Sequence, residues 1–432
     1  FWKVNPDLFS NLKIRASYGS LGNGNVSPYS FLELLSISTS GRVLNGLKNK
    51  YTSAPAVMPD GLTWETATTT DVGLDFGMLN NRLQFNGDYY IRKTTDMYTV
   101  GETLPDVFGA SSPKGNYADM TTKGWEITLT WRDQFTLAEK PFNYEIRGTL
   151  SDYISTIDRY NNQTGNLDDY YAGKRVGEIW GYVTEGLFKD QADIDSHADQ
   201  TLIQSSSKRI TYPGDVKIKD LNGDHVIDYG NNTVDDHGDK TVIGNALPRY
   251  AYSINLSGDW NNFFLSAFFQ GVGKQDWYPS SECIFWGQYN RPYNNMPTWH
   301  QGNYWTEDNT DAYLPRYAGY NASLKSTPQT RYLQNVAYIR LKNLQFGYTL
   351  PQPIVSKAKL QNVRVYISAE NLWCWSPLYK HTRDLDVTNI YGSDPDLTDA
   401  DMSSGLNGNR GSGDGNSYPQ MKSVSLGLSV TF

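Results

Sequence analysis

Apolar and polar residues alternate one for one through segment after segment of this chain. A period of two is the signature of a strand whose two faces meet different surroundings. The last ten residues show it most plainly. Val424, Leu426, Leu428, Val430 and Phe432 fall on one face, and Ser423, Ser425, Gly427, Ser429 and Thr431 on the other. The same alternation runs through 12–18, 72–78, 83–91, 125–131, 142–150, 252–256, 265–269 and 363–369. At 338–350 the phase slips: Ile339 and Leu341 share one parity, while Leu344, Phe346 and Tyr348 share the other. A bulge near Lys342 explains the slip, and so does a strand whose upper part stands clear of lipid. Ten strands are therefore expected.

A soluble β-sandwich alternates as well, because one face is buried and the other wet. The connections separate the two readings. Counting back from the last strand, long links at 372–422, 271–337, 151–249, 92–124 and 19–71 alternate with short ones at 351–362, 259–262, 132–141 and 79–82. Short turns at one end and long loops at the other are the pattern of a transmembrane antiparallel β-barrel of the outer-membrane type. A sandwich rarely carries five such loops at one end. An open sheet in lipid would leave two unpaired edges, and links this long suit the roughly 22-stranded barrels with a plugged lumen. The expectation is an all-β chain forming the C-terminal part of such a barrel, with about 12 strands upstream. The opening Phe1-Trp2-Lys3-Val4, with neither an initiator Met nor a signal segment, reads as a mature or internal stretch.

Composition agrees without deciding. Only 38% of residues are hydrophobic, yet 14% are aromatic, with 31 Tyr and 12 Trp. That suits amphipathic surfaces at an interface, and equally a secreted carbohydrate-binding β-protein. A net charge of -8 speaks against nucleic acid. No apolar run is long enough for a membrane-spanning helix. Cys283 and Cys374 have no metal-type spacing and allow at most one disulfide; Cys374, between Trp373 and Trp375, reads as packing.

Two segments carry candidate sites. Asp220, Asn222, Asp224 and Asp228 place oxygen side chains at positions 1, 3, 5 and 9 of a calcium-type loop, with the Val226 carbonyl at position 7. Position 6 is His225 rather than Gly, and position 12 is Asn231, so Asp235, Asp236 or Asp239 would have to complete the set. A Ca²⁺ there would order the long link; the plain alternative is a hydrated acidic turn. The segment 277–305 holds Trp277, Tyr278, Phe285, Trp286, Tyr289, Tyr293, Trp299 and Trp305. Of these, Trp277, Trp286, Tyr289, Trp299 and Trp305 are the candidates for stacking on substrate or a partner. The plain reading is that each ring packs the loop onto itself or the barrel rim. Five histidines and the absence of Gly-x-Ser-x-Gly, His-Glu-x-x-His or a phosphate loop give no catalytic constellation, so no enzyme is expected. Two carboxylates would suffice for a glycoside hydrolase, but nothing singles out two among 46 acids.

The order of short motifs carries a resemblance. Leu12-Lys13-Ile14-Arg15-Ala16-Ser17-Tyr18-Gly19 precedes Gly22-Asn23; Leu62-Thr63-Trp64-Glu65 leads into Asp71-Val72-Gly73-Leu74-Asp75-Phe76; Asn81-Arg82-Leu83 runs into Asp88-Tyr89-Tyr90. Gly124-Trp125-Glu126 and Pro213-Gly214-Asp215-Val216-Lys217 follow, the latter just ahead of the acidic run. Tyr338-Ile339-Arg340-Leu341-Lys342-Asn343-Leu344 then leads to Gly347-Tyr348-Thr349-Leu350-Pro351, Val365-Tyr366 to Asn371-Leu372, and Tyr418-Pro419 to the last strand. In this order the chain resembles the C-terminal barrel part of the SusC/RagA family of TonB-dependent transporters. One departure is Asp394-Pro395-Asp396, where the family often has Asp-Pro-Glu. The resemblance implies an outer-membrane importer of oligosaccharides or peptides. It also implies contact with outer-membrane lipid, a SusD-like surface lipoprotein as lid, and coupling to TonB through an N-terminal region absent here. A terminal aromatic such as Phe432 is the usual assembly signal of that class. The alternative is a secreted or surface adhesin that binds glycans without transport.

Overall fold

The computed structural model describes residues 5, 8–24, 32, 35–52, 62–101, 105, 107, 112–204, 210–280, 283–289, 295–318, 325, 327–389 and 420–432. Phe1–Val4, Tyr293, Asp394-Pro395-Asp396 and Tyr418-Pro419 lie outside the described residues. Ten strands form one antiparallel sheet, each pairing with the strands before and after it. They are β1 (Phe9–Asn23), β2 (Glu65–Met78), β3 (Leu83–Val100), β4 (Lys114–Leu137) and β5 (Lys140–Arg159). The second half comprises β6 (Arg249–Trp260), β7 (Phe263–Lys274), β8 (Tyr338–Thr349), β9 (Asn362–Trp375) and β10 (Ser423–Thr431). All ten alternating segments lie in these strands. Among the described residues β1 and β10 each pair on one side only.

The apolar face crosses the sheet without a break. Ile14 stands opposite Leu74, Phe76 opposite Phe85, Phe85 opposite Leu129, and Trp131 opposite Ile146. Ile146 then faces Leu256, Leu265 faces Phe346, Phe346 faces Ile367, and Ile367 faces Leu426. Ile14 (59%), Leu129 (45%) and Leu426 (79%) are exposed, so this face is not covered by protein. It is the face built for lipid. At the short-turn end aromatic pairs line the band: Phe76–Phe85 at 4.8 Å, Phe135–Phe142 at 5.0 Å and Phe263–Tyr348 at 4.6 Å. At the long-link end Trp373 and Trp375 stay about half exposed. Aromatic girdles at both edges mark membrane–water interfaces. The opposite face is polar. Arg15 reaches Asp75 at 2.9 Å and Asp88 at 2.7 Å, Arg132 reaches Glu145 at 2.5 Å, and the Thr149 and Ser253 hydroxyls meet at 2.7 Å.

The phase slip in β8 is a bulge. Register with β7 steps from Asn343 to Leu341 and register with β9 does the same, skipping Lys342 on both sides. Asn371, across from the skipped residue, takes φ 51 to follow the bend.

The short links are 79–82, 138–139, 261–262 and 350–361, and the long ones 24–64, 101–113, 160–248, 275–337 and 376–422. Both residues of the tightest turns have positive φ: Ala138 47 and Glu139 62, Asn261 47 and Asn262 68. That turn matches the right-handed twist of the flanking strands.

The expected link 92–124 is corrected: most of it is strand. β3 pairs with β4 from Leu83–Trp131 up to Val100–Lys114. Above Ile91 the sequence reads Arg92-Lys93-Thr94-Thr95-Asp96, which does not alternate because both faces there meet water. The expected links 19–71 and 151–249 shorten for the same reason, and 132–141 contracts to a two-residue turn.

Candidate functional site

Three long links, all at the same end of the sheet, fold together around one hydrophobic core. Tyr182, Val216 and Ile218 come from 160–248; Trp286, Tyr289 and Tyr332 from 275–337; Leu378, Leu385 and Val387 from 376–422. Polar ties cross between links. The Tyr182 amide donates to the Pro328 carbonyl at 3.0 Å, and the Thr330 amide returns to the Tyr182 carbonyl at 3.0 Å. Arg316 reaches the buried Asp215 at 2.7 Å and lies over the Tyr212 ring at 4.5 Å. Burial pushes the Asp215 carboxyl up, although Arg316 opposes that shift. His381 stacks on Tyr313 at 4.5 Å, joining the last link to the one before it.

The aromatic candidates divide. Trp277 (4% exposed), Trp286 and Tyr289 (both 0%) are core residues. Their rings have no free face for a sugar or partner, so the expectation of direct stacking is corrected for these three: they hold the links together. Trp299 and Trp305 are partly buried at the edge of that core. Trp299 lies 5.0 Å from Phe285 and 5.6 Å from His381, while Trp305 covers Gly214. Against Trp299, with ring centroids 4.3 Å apart, sits the fully buried His300. Its Nε2 is 2.9 Å from the Phe285 carbonyl and its Nδ1 2.7 Å from the Tyr317 hydroxyl. A carbonyl only accepts, so Nε2 carries the proton and Nδ1 accepts from Tyr317. Burial pushes this imidazole down to about 4.

The acidic run is an ordered series of turns. Asp220 accepts from the amides of Gly223 (2.6 Å) and His225 (2.9 Å), Asn222 from Asp224 (3.0 Å), Asp224 from Val226 (2.8 Å), and Asp228 from Gly230 (2.8 Å). His225 has φ 65, the left-handed conformation that glycine supplies at position 6 of a calcium loop. Fully buried Asp239 accepts from Leu221 (2.7 Å) and Asp228 (3.0 Å), closing the segment on itself. Among the described residues no three His, Cys, Asp or Glu side chains converge at metal-ligand spacing. Each carboxylate oxygen has a second lone pair, so the turn bonds leave acceptor capacity.

Sequence reasoning missed a cavity of about 490 Å³ between the ribbon Glu178–Tyr182/Lys240–Asn245 and the tops of β5, β6 and β7. Arg175, Glu178, Asn245, Arg249 and Asp276 line it. Arg249 is held by Asp152 at 2.5 Å. These residues lie far apart in sequence, and only the folded links bring them together.

A meander with an apolar band on one face, a polar opposite face, tight turns at one end and packed links at the other is a section of outer-membrane β-barrel wall. Comparison with known proteins agrees. No protein-family model matches the chain. It is 29% identical over 444 residues to TonB-dependent receptor P3 of Formosa agariphila, covering 97% of this chain and 39% of that protein. It is 22% identical over 454 residues to TonB-dependent receptor SusC of Bacteroides thetaiotaomicron, covering 100% of this chain and 39% of that one. Among solved structures, the RagAB peptide importer in its open-open state matches with TM-score 0.68 and 19% identity, over 99% of this chain and 40% of that one. The RagAB peptide transporter matches with TM-score 0.65 and 20% identity, over 86% and 37%. The chain is homologous to the TonB-dependent receptors of SusC/RagA type, which are outer-membrane proteins. It spans about two-fifths of the length of the curated relatives it matches.

Proposed function

We propose that this chain is the wall and extracellular rim of a TonB-dependent importer carrying oligosaccharide or peptide across the outer membrane, with a SusD-like surface lipoprotein over the rim. The observation that carries the reading is the fusion of three long links around one core, at the end away from the tight turns. A rim built so rigidly can present a fixed surface to a lid and to cargo. The RagAB structures, described as those of a peptide importer, support the architecture. In this reading further strands of the same protein close the two sheet edges, and energy coupling lies outside this chain. Trp299 and Trp305 are the stacking rings at the rim, and the chain performs no catalysis. The test is uptake of labelled oligosaccharides and peptides by cells carrying or lacking the gene, with and without TonB. Import lost in both mutants supports the reading. Surface binding that persists without import supports a glycan-binding adhesin instead, although the exposed apolar band argues against a secreted protein.

In the same reading Asp220, Asn222, Asp224 and Asp228 hold a structural Ca²⁺ that fixes the 160–248 link. A cation at 100 times its Kd adds about 2.7 kcal/mol to stability. Full-length protein should melt higher in Ca²⁺ than in chelator, with the difference lost in Asp224→Asn. Equal melting in both would remove the cation.

A further inference from the structure

Link 24–64 carries a two-stranded ribbon, Ile37–Leu44 paired with Leu47–Thr52. Its turn is Asn45-Gly46, with φ 51 and 78, the residue pair that a tight hairpin turn favours. The ribbon is nearly all solvent-exposed. Ile37 (71%), Val43 (60%), Leu44 (64%), Leu47 (67%) and Tyr51 (53%) are all open. An isolated two-stranded hairpin is marginal in water, and this one leaves apolar side chains on both sides of its tip uncovered. Its charge is one-sided too. Residues 35–52 contain Arg42, Lys48 and Lys50 and no Asp or Glu, in a protein whose net charge is -8.

We infer that this ribbon is a membrane-surface anchor: Leu44 and Leu47 enter the outer leaflet while Arg42, Lys48 and Lys50 meet the phosphate groups of its anionic lipids. Two features favour lipid over an acidic protein. Val43, Leu44 and Leu47, all exposed, flank the ribbon's turn, where a tip can insert. Its cations are Lys and Arg, whose apolar stems can lie in acyl chain while their heads stay at the headgroups. Near an anionic membrane each such charge contributes about fivefold to the surface-bound population.

The inference rests on the long links being extracellular, which labelling of intact cells tests separately. The experiment uses full-length protein in proteoliposomes, with an environment-sensitive dye at Leu44→Cys and spin-labelled lipid as quencher. Phosphatidylcholine vesicles are compared with phosphatidylcholine–phosphatidylglycerol vesicles. The anchor predicts quenching and a blue shift in the anionic vesicles, reversed by high salt. The triple variant Arg42→Gln/Lys48→Gln/Lys50→Gln should lower the inserted population by about 100-fold, while barrel assembly, read by gel mobility before and after heating, stays unchanged. A dye that remains wet in both vesicle types, or equal quenching with and without anionic lipid, would overturn the anchor. So would a dye already shielded in detergent with a partner bound, which would mark a protein interface.

Discussion

Arg340, near the top of β8, reaches Asp386 of the last long link at 2.5 Å, and both side chains are less than a tenth exposed. Asp386 also accepts from the amides of Thr388 (3.0 Å) and Gln420 (2.9 Å), while the Gln420 side chain accepts from Arg340 at 2.7 Å. One guanidinium therefore pins both feet of the 376–422 link to the wall. Removing one partner of a buried pair strands the other charge and costs about 3–5 kcal/mol. Arg340→Met or Asp386→Leu alone should open residues 376–389 to protease. The double variant should be milder than either, because no charge is left unpaired. A double variant as damaged as the sum of the singles would show that the pair does not act as a unit.

His300 gives the loop body an acid-sensitive term. Its folded imidazole sits at about 4, against about 6.5 when unfolded. Between those values the unfolded chain binds a proton that the folded one refuses. Stability from this residue is therefore complete above about pH 6.5 and is lost as pH falls towards 4, by at most about 3 kcal/mol. His381 is also held down, by burial and then by Lys380, and adds to the slope in the same direction. His300→Gln can keep both hydrogen bonds without titrating. The melting temperature of wild type should fall more steeply than that of the variant over that window. Parallel curves would mean that His300 is not buried in its neutral form.

The two faces of β4 should respond oppositely to charge. Leu129 lies on the apolar face between Phe85 and Gly148, and Thr128 on the polar one. Arg on the lipid face near the bilayer centre costs about 2–4 kcal/mol, so Leu129→Arg should reduce assembled barrel in the membrane and Thr128→Arg should not. The reverse ranking would invert the faces.

How much of this was legible in the sequence follows from where each side chain sits. Residues such as Phe85 and Leu426 alternate because lipid is on one side and water on the other, so all ten strands could be read, as could the phase slip near Lys342, for which a bulge was one of two readings. Above Ile91 water lies on both sides, and the upper halves of β3 and β4 left no periodic trace. Links 160–248, 275–337 and 376–422 were recognised as long, but their shared core was not. Tyr182, Trp286 and Leu385 are isolated apolar residues in irregular backbone, and nothing periodic joins them. Trp286 and Tyr289 were read as candidate contacts because aromatic content marks core and interface alike. The oxygen spacing at Asp220–Asp228 was legible, but His225 at position 6 counted against the pattern, and its left-handed backbone was not read from the sequence.

The central claim is that the packed long links face the outside of the cell and the tight turns the periplasm. Gln301, in link 275–337, and Lys357, in link 350–361, are both exposed, whereas native Cys283 is buried and Cys374 partly so. Full-length Gln301→Cys and Lys357→Cys variants in intact cells, treated with a membrane-impermeant maleimide, test that claim directly. The structure predicts rapid labelling at 301 and labelling at 357 only after the outer membrane is permeabilised. Labelling at 357 in intact cells with 301 protected would invert the barrel and contradict the account.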